Sequence, residues 1–512
     1  MIAAMSRPPW WRSAVVYQIY PRSFADASGD GVGDLPGIRR RLEHLAWLGV
    51  DALWLSPVFR SPMADFGYDV ADYCDVDPLF GSLADLDGLL ADAHAHGLKL
   101  LLDWVPNHTS DRHPWFVDAR RARTSAHRDW YVWRDPRPDG GPPNNWAAAF
   151  PLGTPAWTLD AATGQYYLHL FLPEQPDLDW SNPAVVRAMH DVLRFWLARG
   201  VDGFRIDVVH GIGKDPLLPD DPPEWTGVPH ALLNDQPATH ALLRGLRRVA
   251  EEFGGERLLL GEVFLMTPGA HARYLGRGDQ LHLVFELPAA ILTPWEADAW
   301  RARIAWAAES LDPIDGWPTW VLSNHDTPRH RSRFGSEARA RAAAVLLLTL
   351  RGTPFLYAGE ELGLEDAVVP RERRVDPGGR DGCRGPMPWD ASPHHGWGRE
   401  PWLPFPPDAE RLNVAAQRAD PHSILHLYRR LLRARRASPA LHLGDVELLP
   451  APAGVLAYRR RYGEDRRTVL VNFADASVSV AERGAVELAS DGIGEGAPFG
   501  GVLGPETAVL LR

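Results

Sequence analysis

Four acidic side chains stand at or just beyond the ends of apolar runs: Asp103 in LLLDWVPNH, Asp207 in GFRIDVV, Glu262 in LLLGEVF and Asp326 in VLSNHD. Such runs read as strands buried on both faces, so the four acids should emerge together where parallel strands end. Carboxylates grouped there suit cleavage of a glycosidic bond. That reaction takes one carboxylate at the anomeric carbon and a second, protonated carboxyl that hands its proton to the leaving oxygen. A third acid nearby would raise the proton affinity of the acid catalyst, and an adjacent arginine would keep the nucleophile ionised. Arg205 lies two residues before Asp207, hence on the same strand face. His108 and His325 each sit in an acidic motif, where an imidazole can hydrogen-bond a sugar hydroxyl. One aspartate after a strand is more often a helix cap or half of an ion pair; the argument rests on the set.

A second acidic pattern has different chemistry. DASGDGVGD places Asp26, Ser28, Asp30 and Asp34 at alternating positions, with the Val32 carbonyl between them. This is an all-oxygen set resembling an EF-hand loop without its helices, suited to a structural Ca²⁺ or another hard cation such as Mg²⁺. The competing reading is an acidic turn.

The elements that must carry the rim are legible as eight strand-like runs: VVYQIY, ALWLSPV, KLLLDWV, GFRIDVV, RLLLGEV, LHLVFEL, TWVLSN and TPFLYAG. Helical patterns alternate with them, the signature of parallel βα units. Ile38, Leu42, Leu45 and Leu48 repeat at helical spacing, with Gly49 as a left-handed cap. Asn182-Pro183 opens another helix as N-cap and first residue, and Gly200 closes it. Eight units predict an α/β fold, a (β/α)8 TIM barrel, whose chemistry sits at the C-terminal strand ends. A doubly wound sheet is the fallback, but it usually carries a glycine-rich phosphate loop, which is not found here.

About 70 residues rich in Pro, Gly and Trp follow the third strand, too many for a structureless loop. The expected division is therefore a barrel over 1–108 and 177–440, an inserted subdomain over 109–176, and a C-terminal antiparallel β-sandwich domain over 441–512. GVLAY, TVLVNF and TAVLL supply strands of the last.

Composition narrows the function. The 512 residues are 45% hydrophobic and 23% charged, ordinary for a globular protein. A net charge of −12 and a pI near 5.9 disfavour nucleic acid and anionic membranes as partners. Two cysteines, Cys74 and Cys383, exclude a disulfide framework, and no apolar leader or span is read, so a cytoplasmic location is expected. Tryptophan is abundant, at 21 residues; most should pack in the core and some could stack on sugar rings. Oligomeric state is not legible.

DWVPNH, GFRIDVV, LLLGEVF and SNHD, with QPDLDW, GDGVGDLPGI and GTPFLYAGEELG, resemble the conserved segments of the α-amylase superfamily, glycoside hydrolase family thirteen, in its α-glucosidase and oligo-1,6-glucosidase branch. The likeness spans nearly the whole chain. It implies that Asp207 is the nucleophile, Glu262 the general acid/base and Asp326 the acid that binds and distorts the sugar. Asp69 in FGYDV, His108, Arg205 and His325 would line the pocket of the non-reducing glucose, with Arg329 and Arg384 at its mouth. Asp103 and Asn107 would support the rim. Family members often hold a structural Ca²⁺ or Mg²⁺ in the acidic loop, and no catalytic cofactor is implied.

The resemblance implies retention of anomeric configuration, which requires catalytic carboxyls about 5–5.5 Å apart. On linkage the cues diverge: Val208 after the nucleophile accompanies α-1,6 cleavage in this branch, whereas VVHGIGKDP and GEVFLMTP resemble enzymes of maltose-like α-1,4 bonds. The α-1,4 reading on short oligosaccharides is favoured. Oligo-1,6-glucosidase, sucrose isomerase and trehalose synthase activities are the alternatives, and a non-enzymatic transporter heavy chain the remote one. Asp179, Cys383 and Gly385 depart from common family residues, which touches acceptor specificity.

Overall fold

The structure, a computed structural model, describes residues 8–267, 269–286 and 291–512. The start of the N-terminal segment, Pro268 of GEVFLMTP and Leu287 of LHLVFEL lie outside them.

All eight apolar runs form strands: β1 (Val16–Ile19), β2 (Ala52–Leu55), β3 (Lys99–Trp104), β4 (Gly203–Ile206), β5 (Leu258–Val263), β6 (Leu283–Glu286), β7 (Thr319–Val321) and β8 (Thr353–Tyr357). Parallel ladders run from β1 through β6, and β8 joins β7 back to β1. Between β6 and β7 the Thr319 hydroxyl donates to the Val284 carbonyl at 2.8 Å. The result is the (β/α)8 barrel. Alternation along the strands sorts side chains into two cores: Val16, Trp54, Leu101, Leu260, Phe285 and Phe355 fill the interior, while their neighbours pack outward under the helices.

Helix ends follow the sequence punctuation. The Asn182 side chain caps the helix Pro183–Ala198 by accepting from the Ala184 amide. Gly49, at φ 103°, closes Leu42–Leu48 in the left-handed region, and its N–H reaches Leu45. The predicted helix around Ile38 and Leu42 is two helices, Leu35–Arg40 and Leu42–Leu48, because Arg41 leaves helical geometry.

The long segment after β3 contains a three-stranded antiparallel sheet, Trp133–Arg134, Gln165–Leu168 and Trp157–Asp160. Near the C-terminus a five-stranded antiparallel sheet built from Asp445–Leu449 through Ala508–Leu511 packs with a two-stranded ribbon, Val478–Ser479 with Val502–Leu503. Both cysteines are free thiols. No helix among the described residues is long and apolar enough to cross a membrane.

Candidate active site

Strand register builds the site. Asp103 pairs with Arg205 across β3 and β4, and Leu260 of β5 pairs with Arg205. Two residues further along each strand, the same inward face carries Asp207 and Glu262. The Asp207 amide still donates to the Trp104 carbonyl, at 2.9 Å, so the nucleophile candidate rides on the sheet rather than on a free loop. The chain then turns sharply. Val208 takes φ 40° and ψ 44°, a left-handed conformation that strains a β-branched residue by about 1–3 kcal/mol, and its N–H meets Glu262 Oε2 at 3.1 Å.

One guanidinium gathers three carboxylates. Arg205 Nη1 donates to Asp103 Oδ1 at 2.8 Å and to Asp207 Oδ1 at 2.6 Å, and Nη2 donates to Glu262 Oε2 at 2.6 Å. Burial, with repulsion from Glu262 and Asp103, pushes the Asp207 carboxyl up despite Arg205. Burial likewise pushes Asp103 up to about 6, with Arg205 opposing. A single positive charge cannot balance three negative ones, so the cluster favours keeping a proton.

Asp326 has the opposite environment. Burial alone would raise its carboxyl, but it is held well below the usual range. Burial pushes the neighbouring His325 down to about 3 and so leaves it neutral. His325, 3.3 Å from Asp326 Oδ2, opposes the rise first, because it gains its own charge in the acid range where Asp326 would take up a proton, and the permanent charges of Arg380 and Arg384, at 3.0 and 3.3 Å from Asp326 Oδ1, add to it. Arg380 also reaches Asp65 at 2.6 Å and Asp376 at 2.8 Å, and its guanidinium lies 4.8 Å from the centre of the Phe150 ring.

Asp207, Glu262 and Asp326 line one cavity of about 310 Å³. Its polar wall adds Asp65, Tyr68, His108, Gln175 and Arg380. Its apolar lining includes Phe150, Phe171, Leu232 and Phe264, with Phe171 beside His108 and Phe150 beneath Arg380. No tryptophan lines it, so the sugar-stacking expectation falls to phenylalanines. Asp179, Cys383 and Gly385, the departures from common family residues, are also absent from its lining.

Of the sequence-predicted pocket residues, His108 faces the cavity, beside Gln175 at 3.1 Å. Burial holds His108 below its usual range, hence neutral. Arg205 and His325 stand one layer behind. His325 is wholly buried between Gln18 at 2.7 Å and the Tyr68 hydroxyl at 2.6 Å, and it orients Tyr68 rather than facing the cavity. Asp69 is corrected: it points away, accepting from the Ser61 hydroxyl and the Ala64 and Asp65 amides, so it shapes the turn that presents Asp65. The acid in the cavity lies four residues earlier than expected. Arg329 is also corrected: it donates to the Ala358 carbonyl at 2.9 Å and stacks on Tyr357, which makes it a buried strut of the β7 and β8 loops. Arg384 is buried behind Asp326, bonded to the His325 carbonyl at 2.8 Å and to Asp376 at 3.1 Å.

Arg380, Asp65, Gln175 and the three phenylalanines are not among the site residues that the sequence predicts. Signals existed for some: Arg380 and Arg384 are one helical turn apart in RDGCR, and Gln175 begins QPDLDW.

The acidic loop is arranged as a turn. Asp26 accepts from the Gly29 and Gly31 amides at 2.6 and 2.9 Å and from the Ser28 hydroxyl at 3.2 Å, and Asp30 from the Val32 amide at 2.8 Å. Asp34 caps the helix Leu35–Arg40 through the Gly37 amide at 2.6 Å. Among the described residues no three acidic, histidine or cysteine side chains converge as a metal site, so an ion fits only if Asp26, Ser28, Asp30 and the Val32 carbonyl turn toward it.

The chain is similar to proteins of known class over almost all of its length. It shares 43% identity with a probable α-glucosidase of Rhizobium meliloti (strain 1021), over 92% of this chain and 90% of the relative. With an oligo-1,6-glucosidase of Parageobacillus thermoglucosidasius the figures are 38%, 91% and 91%. Among solved structures, the α-glucosyl transfer enzyme XgtA superposes with a TM-score of 0.90 at 39% identity, covering 99% of this chain and 100% of that one. The trehalulose synthase MutB of Pseudomonas mesoacidophila MX-45 gives 0.92 at 32%, covering 99% of each. The profile of the α-amylase catalytic domain matches residues 18–444. With the acidic rim of an eight-stranded barrel beneath them, these likenesses place the chain in the α-amylase superfamily, glycoside hydrolase family thirteen, as a glycoside hydrolase of its α-glucosidase branch.

Proposed function

We propose that the protein is a retaining, exo-acting α-glucosidase that releases glucose from the non-reducing end of short α-glucosides, with α-1,4 bonds favoured. The observation that carries this is the meeting of Asp207, Glu262 and Asp326 in one cavity at the small end of the range for ligand pockets, roughly 300–1,000 Å³. The polar lining groups hold the terminal glucose, and the phenylalanine rings offer apolar surface to sugar faces.

In this reading Asp207 attacks the anomeric carbon while the glycosidic oxygen takes a proton from Glu262 and departs as an alcohol. A β-glucosyl ester on Asp207 results. Glu262, now ionised, takes a proton from water, which attacks the same carbon, frees Asp207 and restores the α configuration. Attachment of both carboxylates to adjacent terminal nitrogens of Arg205 supports the short separation that retention needs. Arg205 orients the pair. Asp326, kept ionised by Arg380 and Arg384, accepts hydrogen bonds from sugar hydroxyls, and neutral His108 and Gln175 complete the grip.

A second reading, α-1,6 cleavage, draws on Val208 in the cavity wall and on relatives named oligo-1,6-glucosidase. A transglucosylase reading draws on XgtA and MutB. Separate incubations with maltose, isomaltose, sucrose and trehalose decide among them: glucose should appear fastest from maltose, and as the α-anomer. The β-anomer appearing first, or no glucose from any of the four, overturns the proposal. A cytoplasmic setting is part of the proposal, supported by the two free thiols. A structural Ca²⁺ or Mg²⁺ at Asp26, Ser28, Asp30, Val32 and Asp34 is a separate proposal. The hydrogen-bond partners of these three carboxylates among the described residues are amide dipoles and a hydroxyl, with Arg22 acting on Asp30 only from a distance, so a hard cation would relieve their repulsion.

A further inference from the structure

Of the 54 lysines and arginines in this chain only two are lysine, Lys99 and Lys214. Lys99 is part-exposed at the foot of the barrel, on Asp202. Lys214 is buried directly behind the candidate active site, its side chain 6% exposed. Its ammonium meets three acceptors from three separate segments: Asn107 Oδ1 at 2.8 Å beyond β3, Asp177 Oδ2 at 2.9 Å on the return from the inserted segment, and the Gly211 carbonyl in the turn after β4. An ammonium carries three N–H donors around one nitrogen, and here each has an acceptor. A planar guanidinium is longer and spreads its donors in a fork, so arginine does not reproduce this junction.

Each acceptor leads to the cavity wall. The Asn107 amide group contacts His108 Nδ1 at 3.1 Å, and His108 faces the cavity with Gln175. Asp177 Oδ1 accepts from the Leu170 amide, next to Phe171. Gly211 donates its amide to the Val208 carbonyl at 2.8 Å, closing the turn that holds Val208 and His210 against the cavity beside Asp207. Lys214 and Asp177 themselves are not lining residues. The His108–Gln175 wall and the Asp207–Val208 turn thus have one common fastening.

We propose that Lys214 is a positioning residue: by drawing Asn107, Asp177 and Gly211 onto one point, it sets the width of the pocket that grips the non-reducing glucose. The proposal rests on the α-glucosidase reading, and it makes Lys214 act on substrate fit through other residues, without contact to the sugar.

The test compares K214M, K214R and the double variant K214M/D177N, with KM and kcat on maltose and Tm measured for each. K214M leaves Asp177 buried without its cation and should lose Tm as well as affinity. In K214M/D177N the stranded charge is gone while an amide oxygen still accepts from Leu170, so Tm should recover. KM should stay raised roughly tenfold, with kcat falling about threefold or less, the signature of lost ground-state binding. K214R should raise KM comparably. A purely structural lysine predicts instead that KM returns with Tm in the double variant. That result, or a wild-type KM in K214R, overturns the proposal. A wild-type enzyme that releases no glucose from any α-glucoside sinks the α-glucosidase reading itself, a distinguishable failure.

Discussion

Two acidic clusters in this molecule use the same side chain in opposite ways. In the loop from Asp26 to Asp34 each carboxylate is met by nearby backbone amides or a hydroxyl, so the acids build a turn and cap a helix. At the barrel rim Asp103, Asp207 and Glu262 share one guanidinium and face a cavity. Local amides settle a carboxylate. Shared, under-compensated partners raise the proton affinity of Asp103 and Asp207 and leave oxygens free to react.

The sharpest way to break this contrast is Asp207→Asn. The amide keeps the shape but cannot attack carbon, so kcat on maltose should fall by on the order of 10⁴ or more. Because the substitution removes one of three mutually repelling carboxylates, Tm should hold or rise. A drop in Tm with most of the activity kept would show that the rim is structural, like the loop.

Arg380→Met tests the other side of the cavity. Arg380 bridges Asp326, Asp65 and Asp376 and lies over Phe150. Losing charge-assisted bonds of about 1.5–3 kcal/mol should lower kcat/KM roughly 10- to 100-fold. Wild-type kinetics would show that Asp326 is held by Arg384 alone.

The reach of sequence reasoning follows from where these residues sit. The barrel strands are legible because burial on both faces demands uninterrupted apolar runs, and the rim acids because each breaks such a run at its end. Arg380, Asp65 and Phe150 lie on irregular loops, where no periodicity tells which way a side chain points. FGYDV shows the limit. Asp65 and Asp69 flank Tyr68, and the backbone between them passes through Phe66 at φ 49°, so a sequence pattern does not decide which acid faces the cavity. The same holds for Arg329 and Arg384: both were expected at the mouth, and both are buried on backbone carbonyls.

The proton affinity of the rim has its own signature. Burial first, then Glu262 and Asp103, push the Asp207 carboxyl up. The nucleophile must be ionised, so activity is lost as pH falls through that raised value. The acid limb of kcat/KM should therefore lie above the ordinary aspartate range near ~3.9. Asp103→Asn removes a negative neighbour while Arg205 stays on Asp207, so the limb should move to lower pH, by up to about one unit. An unmoved limb, or one displaced upward, would mean that Asp103 acts mainly by orienting Arg205.

The smallest kinetic effect belongs to the loop. An ion there lies outside the lining of the cavity, so adding Ca²⁺ to metal-stripped protein should leave kcat and KM unchanged while raising Tm. At a hundredfold excess over Kd the gain would be about 2.7 kcal/mol. Asp30→Ala should abolish the rise, since among the described residues Asp30 gives up one hydrogen bond, from the Val32 amide, and its carboxylate is the one most readily turned toward an ion. Asp34→Ala is the weaker probe, because it also removes the cap of the helix Leu35–Arg40 and lowers Tm with or without metal. A Tm indifferent to Ca²⁺ and Mg²⁺ would mean that amide dipoles alone stabilise the loop, and the contrast with the rim would then be complete: one set of acids satisfied by its own backbone, the other kept for a substrate.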